Sequence, residues 1–363
     1  MNHAIKQSVD MMIAHYEFQR AEFLKALGGS DRITEMVAGD SSDPLYEFLK
    51  REVPPETSTI ESYFRIQHEN PNWLSAFVAQ RITDEKDKRN LCAALGELRA
   101  YADLLQFPFV SVVPHSVNQS GADFLIRGKE DNAPIANVEV FTQNPKPNST
   151  NIVDVSELHE ENGFTFKSTI REITPYSNMG NAKEGDTIGL DAISKICAIK
   201  QDEHQVNDTV PTLYYVDLQT IIPEFSTLYN YKPITSFSGR ISSGAYWHAM
   251  YGHCGDYVAE GLCSGDWSVS NMKHCGRFAN MKSPSKASAF LFRENTTSRH
   301  NEDPLICFEN PMRLLPERFL KGLKHCHLLN WEMSVMQMIQ GDLCKYVDMQ
   351  NSKIKRCIDS LRG

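Results

Sequence analysis

The period of the hydrophobic pattern changes near Gln106, and that change sets the architecture. Before it, apolar residues recur every three or four positions, as on the buried stripe of a helix. From Phe109 onward they come in short β-branched and aromatic blocks bounded by Ser, Gly, Asn or Pro, the pattern of strands. A chain that is helical first and strand-rich afterwards is expected to form an α/β core. Such a core is a mixed central sheet flanked by helices, here with an N-terminal helical region.

The spacing predicts helices over 4–27, 43–52, 59–68, 72–82 and 84–105, separated by turn-forming GGSD, GDSSDP and VPPE. Strands are predicted over 109–113, 122–127, 135–141, 212–218, 287–293 and 304–310. The polar stretch 142–186 reads as loop, 192–201 as a helix, and 238–252 as a strand running into a short helix. The helical run 331–361 closes the chain. The corresponding division is a helical region over 1–84, a core over 85–330 and a C-terminal helix over 331–363.

Composition narrows the function. The chain has 363 residues, 41% hydrophobic and 23% charged, an ordinary globular balance. No apolar run approaches the roughly 20 residues that span a bilayer, so no membrane partner is expected. The first residues lack the apolar core and small-residue cleavage site of a secretory signal. Nine scattered cysteines suit free thiols in a reducing compartment, and the cytoplasm is the expected location. A formal net charge of −9 argues against coating nucleic acid by bulk electrostatics, while leaving room for a local basic groove. There is no P-loop, no dinucleotide-binding glycine fingerprint, no HExxH and no GxSxG.

What remains is a set of three acids. In GADFLIRGKEDNAPIANVEVF the turn lies around 128–133 and is centred near 131, so Asp123 and Glu139 are equidistant from that centre and face each other across a hairpin. Cross-strand neighbours have Cβ atoms about 4.5–5.5 Å apart, near enough to share one cation. On the preceding helix Leu91, Leu95, Leu98, Ala102 and Leu105 form the buried stripe, and Glu97 flanks it among small apolar residues. A carboxylate so placed calls for a positive partner, and a hard divalent cation held by oxygen ligands is one.

This order of helix, strand, strand, hairpin and strand, with its acids, resembles the PD-(D/E)XK nuclease superfamily, the restriction-endonuclease-like fold. The resemblance covers roughly 85–220. Gly-Ala-Asp123 stands where the family has Pro-Asp, Glu139 matches the second acid, and Glu97 matches the acid that many members carry on the first helix. It implies Mg²⁺ (Mn²⁺ as a substitute) bound by Asp123, Glu139 and Glu97, and hydrolysis of phosphodiester bonds, in DNA first. It further implies a role in defence against foreign DNA and a homodimer as one assembly. Phe141 departs from the pattern, because a lysine stands two residues after the second acid in the family. Three readings stay open: Gln143 replaces it on the same strand face, Lys195 or Lys200 reaches back from the following helix, or the fold binds without cutting.

Other segments carry weaker chemistry. His253, Cys254, Cys263, His274 and Cys275 lack the paired spacing of a structural zinc site. Lys273, Arg277, Lys282 and Lys286 with Phe278, and Lys167, Arg171 and Lys183, are basic stretches able to meet a phosphate backbone. Tyr246, Trp247 and Tyr251 read as core.

Overall fold

The computed structural model describes residues 3–29, 31–32, 57–83, 85, 87–115, 121–142, 152–161, 164–173, 193–194, 196–199, 209–217, 235–237, 240–262, 267–280, 282–293, 305–310, 312–316 and 319. The helix expected over 43–52, the closing helical run 331–361, and Gln143, Lys183, Lys195, Lys200 and Cys263 lie outside them. Contacts divide the chain into two units, each assembled from separated stretches. The first comprises Met1–Asn144, Lys200–Glu224 and Lys286–Met336, and the second the remainder. This partition cuts across the sequence-based segments 1–84, 85–330 and 331–363.

The first unit is α/β. Helices α1 (His3–Ala26), α2 (Thr57–Glu69), α3 (Pro71–Arg81) and α4 (Lys88–Leu104) precede a six-stranded mixed sheet. Strands β1 (Val110–Pro114), β2 (Phe124–Gly128) and β3 (Pro134–Thr142) form an antiparallel meander. The chain leaves this sheet after β3 and returns to it at β6 (Thr212–Asp217), parallel to β3. Strand β11 (Ala289–Arg293) continues parallel to β6, and β12 (Leu305–Glu309) closes the order β1-β2-β3-β6-β11-β12 antiparallel to β11. All residues of β6, β11 and β12 are buried, which is why they read as unbroken apolar runs rather than alternating ones.

Helix α4 lies at the centre of the unit's packing. Asp87 caps it by accepting the Arg89 amide at 2.7 Å. Its Leu91, Leu95, Leu98 and Ala102 share one core with Phe124, Ile126, Val138, Leu213, Tyr215, Ala289 and Leu291 from the sheet. Leu98 is fully buried, worth about 2–5 kcal/mol against alanine. Gly96 permits the closest approach, since a Cβ there would stand 1.8 Å from Thr142 Oγ1 at the end of β3.

The second unit holds a four-stranded antiparallel sheet, in the order β10-β9-β8-β7, and a separate two-stranded ribbon. The ribbon pairs β4 (Ile152–Glu161) with β5 (Phe164–Ile173), and so replaces much of the loop expected over 142–186. Its sequence alternates, VDVSELHEE and FTFKSTIREI, with Asn-Gly between the strands, a strong hairpin signal masked by polar residues on both faces. The sheet comprises β7 (Thr235–Phe237), β8 (Arg240–Ser242), β9 (Tyr257–Leu262) and β10 (Trp267–Asn271). Between β8 and β9 lies α5 (Ala245–Tyr251), every residue of which is buried, Tyr246, Trp247 and Tyr251 included. Amides of Gly276, Arg277 and Phe278 donate to the carbonyls of Gly252, Ala249 and Met250 at 2.7–2.8 Å. That contact needs glycine at 276, where a Cβ would meet the His248 carbonyl oxygen at 2.6 Å.

Candidate functional site

An aromatic ladder in the first unit fixes three elements in register. Trp73 on α3 stacks on Phe77 (centroids 4.6 Å apart) and meets Tyr101 of α4 edge-on at 4.6 Å. Tyr101 in turn stacks on Phe124 of β2 at 5.3 Å and accepts a hydrogen bond from Asn70 Nδ2 at 3.0 Å. Such pairs contribute about 0.5–1.5 kcal/mol each beyond the area they bury. Arg81 lies one helical turn beyond Phe77, Glu97 one turn before Tyr101, and Asp123 immediately before Phe124. The ladder therefore carries a charged cluster along its flank.

Within that cluster Arg81 Nη2 donates to Glu97 Oε1 at 2.5 Å. The Glu97 side chain is 17% exposed and that of Arg81 38%. Burial pushes the Glu97 carboxyl up to about 7; the nearby Asp123 charge adds to the rise, and Arg81 opposes it through its charge and its hydrogen bond. Asp123 is also raised, chiefly by burial, against the Val140 amide and the charges of Arg81 and His115. Its Oδ2 accepts the Val140 amide at 2.7 Å, and its carbonyl accepts the His115 amide at 3.0 Å. The Asp123 charge thus acts on Glu97.

Glu139 lies on β3, next along the strand from Val140, whose amide Asp123 accepts. The β2–β3 ladder sets Phe124 against Val138 at its end, and that register, continued by one residue to Asp123 just before β2, would bring Asp123 opposite Glu139. Glu139 is only 6% exposed. Strand alternation turns Glu139 and Phe141 to the face opposite Val138 and Val140, which join the core beneath α4. Among the described residues, no group of three or more His, Cys, Asp and Glu side chains is arranged to hold a metal ion. The positive partner that Glu97 needs is, in the first instance, Arg81.

A divalent cation can still be weighed against the donors present. Asp123, just before β2, and Glu139, on β3, offer hard carboxylate oxygens, and Mg²⁺ commonly takes one or two carboxylates with waters and phosphate completing its shell. Those two residues fit the ion, whereas Glu97 already spends one oxygen on a guanidinium.

Sequence reasoning misses Arg81 and His115. Arg81 ends a helix and nothing local marks it; its role comes from the aromatic ladder, which is tertiary. His115 is placed by the β1–β2 pairing that sets Pro114 against Phe124.

Elsewhere on α4 lies a second charged group. Arg99 Nε donates to Asp217 Oδ2 at 2.6 Å and Arg99 Nη1 to Thr59 Oγ1 at 2.9 Å. Arg293 donates to Asp103, which also accepts the Tyr215 hydroxyl at 2.6 Å. These residues are all buried.

The basic stretch 273–286, which lies in the second unit up to Ser285, is only partly a surface. Arg277 Nε donates to the Ile196 carbonyl at 3.3 Å and Phe278 is 4% exposed, while Lys273, Lys282 and Lys286 stay exposed. Cys254 and Cys275 are free thiols; the Cys254 amide donates to Cys275 Sγ at 3.4 Å, and Cys254 Sγ to the Lys273 carbonyl at 3.3 Å.

Comparison with family models, with curated proteins and with solved structures returned no match. Among the described residues no helix is long and apolar enough to cross a membrane.

Proposed function

We propose that this protein is a Mg²⁺-dependent nuclease of restriction-endonuclease-like fold, acting on phosphodiester bonds with DNA as the first substrate class. The observation that supports it most is the β2–β3 register, which continued one residue beyond Phe124 brings Asp123 opposite Glu139. They lie in a unit ordered as helix, three-stranded meander and a further strand parallel to β3. Asp123 and Glu139 would hold the cation, and Glu97 stands beside Asp123 as its outer partner. A bound divalent ion lowers the pKa of a water and offsets charge on the phosphate. In the reaction the water oxygen bonds to phosphorus and the bond to the leaving sugar oxygen breaks. That oxygen takes up one proton, and the water's own proton passes to solvent. Residues 123 and 139 orient the reacting groups, and the buried setting of Glu139 limits competing water. Mn²⁺ would serve in place of Mg²⁺. A role against foreign DNA and a homodimeric state follow from the same family reading, and a cytoplasmic location from the composition.

The test is cleavage of plasmid, linear duplex, single-stranded DNA and RNA in Mg²⁺, Mn²⁺ and chelator, comparing wild type with Asp123→Ala and Glu139→Ala. Metal-dependent cleavage lost in both variants supports the proposal; identical behaviour of all three proteins sinks it. A second reading, a nucleic-acid-binding module that does not cut, draws on Phe141 at the lysine position and on the Arg81–Glu97 pair. Metal-independent DNA binding without cleavage by the wild type would select it.

A further inference from the structure

A site built on Asp123 and Glu139 needs a cation at the phosphate, and position 141 holds a phenylalanine. Of the described residues, Arg81 and His115 are the side chains whose charge lowers Asp123. Their means of support differ. His115 is placed through its backbone bond to Asp123, at the end of an edge strand. Arg81 is held from the helix below it, where Leu74 and Phe77 are buried and Trp73 is clamped between Phe77 and Tyr101. Among the described residues its single hydrogen bond runs from Nη2 to Glu97. A guanidinium has five N–H donors in a rigid plane, so a group anchored through one nitrogen keeps others for an anion. Its side chain is 38% exposed, so it is reachable, whereas the arginines on the other side of α4 are 3% and 4% exposed.

We infer that Arg81 is the phosphate-facing cation of this site. Anchored on Glu97, it supplies from α3 the positive charge that the family pattern would place at position 141. The inference rests on the nuclease reading. It gives Glu97 a defined task, to hold the guanidinium at the rim of the Asp123–Glu139 pair. It also explains how the strand can dispense with a lysine. The non-bridging oxygens gain negative charge as the water attacks, and a fixed guanidinium meets that charge without rearranging.

The experiment compares wild type, Arg81→Ala, Arg81→Gln and Arg81→Lys in kcat and KM on duplex DNA. Thermal melting and Mn²⁺ affinity, from the spin-resonance signal of the free ion, are measured alongside. Loss of a preorganised donor predicts that Arg81→Ala and Arg81→Gln lower kcat about 10²-fold with little change in KM. Arg81→Lys should fall between, and added methylguanidinium should restore part of the Arg81→Ala rate. Mn²⁺ affinity should hold or rise, because a repelling charge has gone. Full activity in Arg81→Ala overturns the inference. So does parallel loss of Mn²⁺ affinity and melting temperature without rescue, which would make Arg81 a packing partner only. Should Arg81→Ala fail to fold, Arg81→Gln, which keeps a donor for Glu97, decides between the same outcomes. A wild type that cuts nothing in any metal signals instead that the nuclease reading itself has failed.

Discussion

Helix α4 carries two charged clusters, and they are built on opposite principles. On one side Arg99 and Arg293 meet Asp103 and Asp217 in matched numbers, with Tyr215 and Thr59 filling further hydrogen bonds, all of it buried. On the other, Glu97 and Asp123 face one arginine that is partly open to water. The matched cluster joins α4 to the ends of β6 and β11. The unmatched cluster holds excess negative charge in a half-buried place, which is unfavourable unless something binds there. Buried charge is therefore a weak guide to function, and unbalanced charge a better one.

The comparison can be broken at several points. Asp103→Ala would leave Arg293 buried without its carboxylate, and removal of one partner of a buried pair typically costs about 3–5 kcal/mol. Chemical denaturation should show that loss, while activity per folded molecule stays near wild type. Asp123→Ala should behave inversely, with cleavage down about 10³-fold, roughly 4 kcal/mol in barrier, and a melting temperature close to wild type. If both variants lose stability and activity together, the two clusters are one system and the contrast drawn above is wrong.

A smaller effect concerns pH. Glu97 has its carboxyl raised from 4.5 to about 7 in the folded chain. The unfolded chain therefore ionises first, and stability is full below pH 4.5, declines as pH rises and is lowest above about 7. Glu97→Gln should consequently stabilise the protein at pH 8, by on the order of 3 kcal/mol at most, and do little at pH 4. Equal effects at the two pH values would show that the carboxylate is not strained. The smallest expected change is Gly96→Ala. Its Cβ would overlap Thr142 Oγ1, and overpacking of this kind costs about 1–3 kcal/mol. Pairing it with Thr142→Gly should recover part of the loss.

Much of the first unit was legible because its signals are local. The stripe Leu91, Leu95, Leu98 and Ala102 announces α4 and its buried face, and the short β-rich runs announce β1, β2, β3, β6, β11 and β12. Asp123, Glu139 and Glu97 could be picked out because hairpin and helix periodicity are properties of short stretches. Arg81 could not, since it depends on how Trp73, Tyr101 and Phe124 interlock across α3, α4 and β2. The ribbon β4–β5 was hidden by polar residues on both faces, where alternation says nothing about burial. Strands β9 and β10 lie in a segment whose His and Cys residues invite a metal reading, which draws attention from its alternating pattern.

One irregularity in the meander carries more than its size suggests. Near the turn Arg127 faces Pro134, but beyond a bulge Ile126 faces Ala136, so Ile135 is the extra residue of β3. Continued without it, the register at the turn would set Asp123 against Val138, an inward-facing apolar residue. A single inserted residue thus works like a frameshift in space, converting an acid that would oppose the hydrophobic interior into one that opposes another acid. Deleting Ile135 would leave every acid in the polypeptide and still dissolve their partnership.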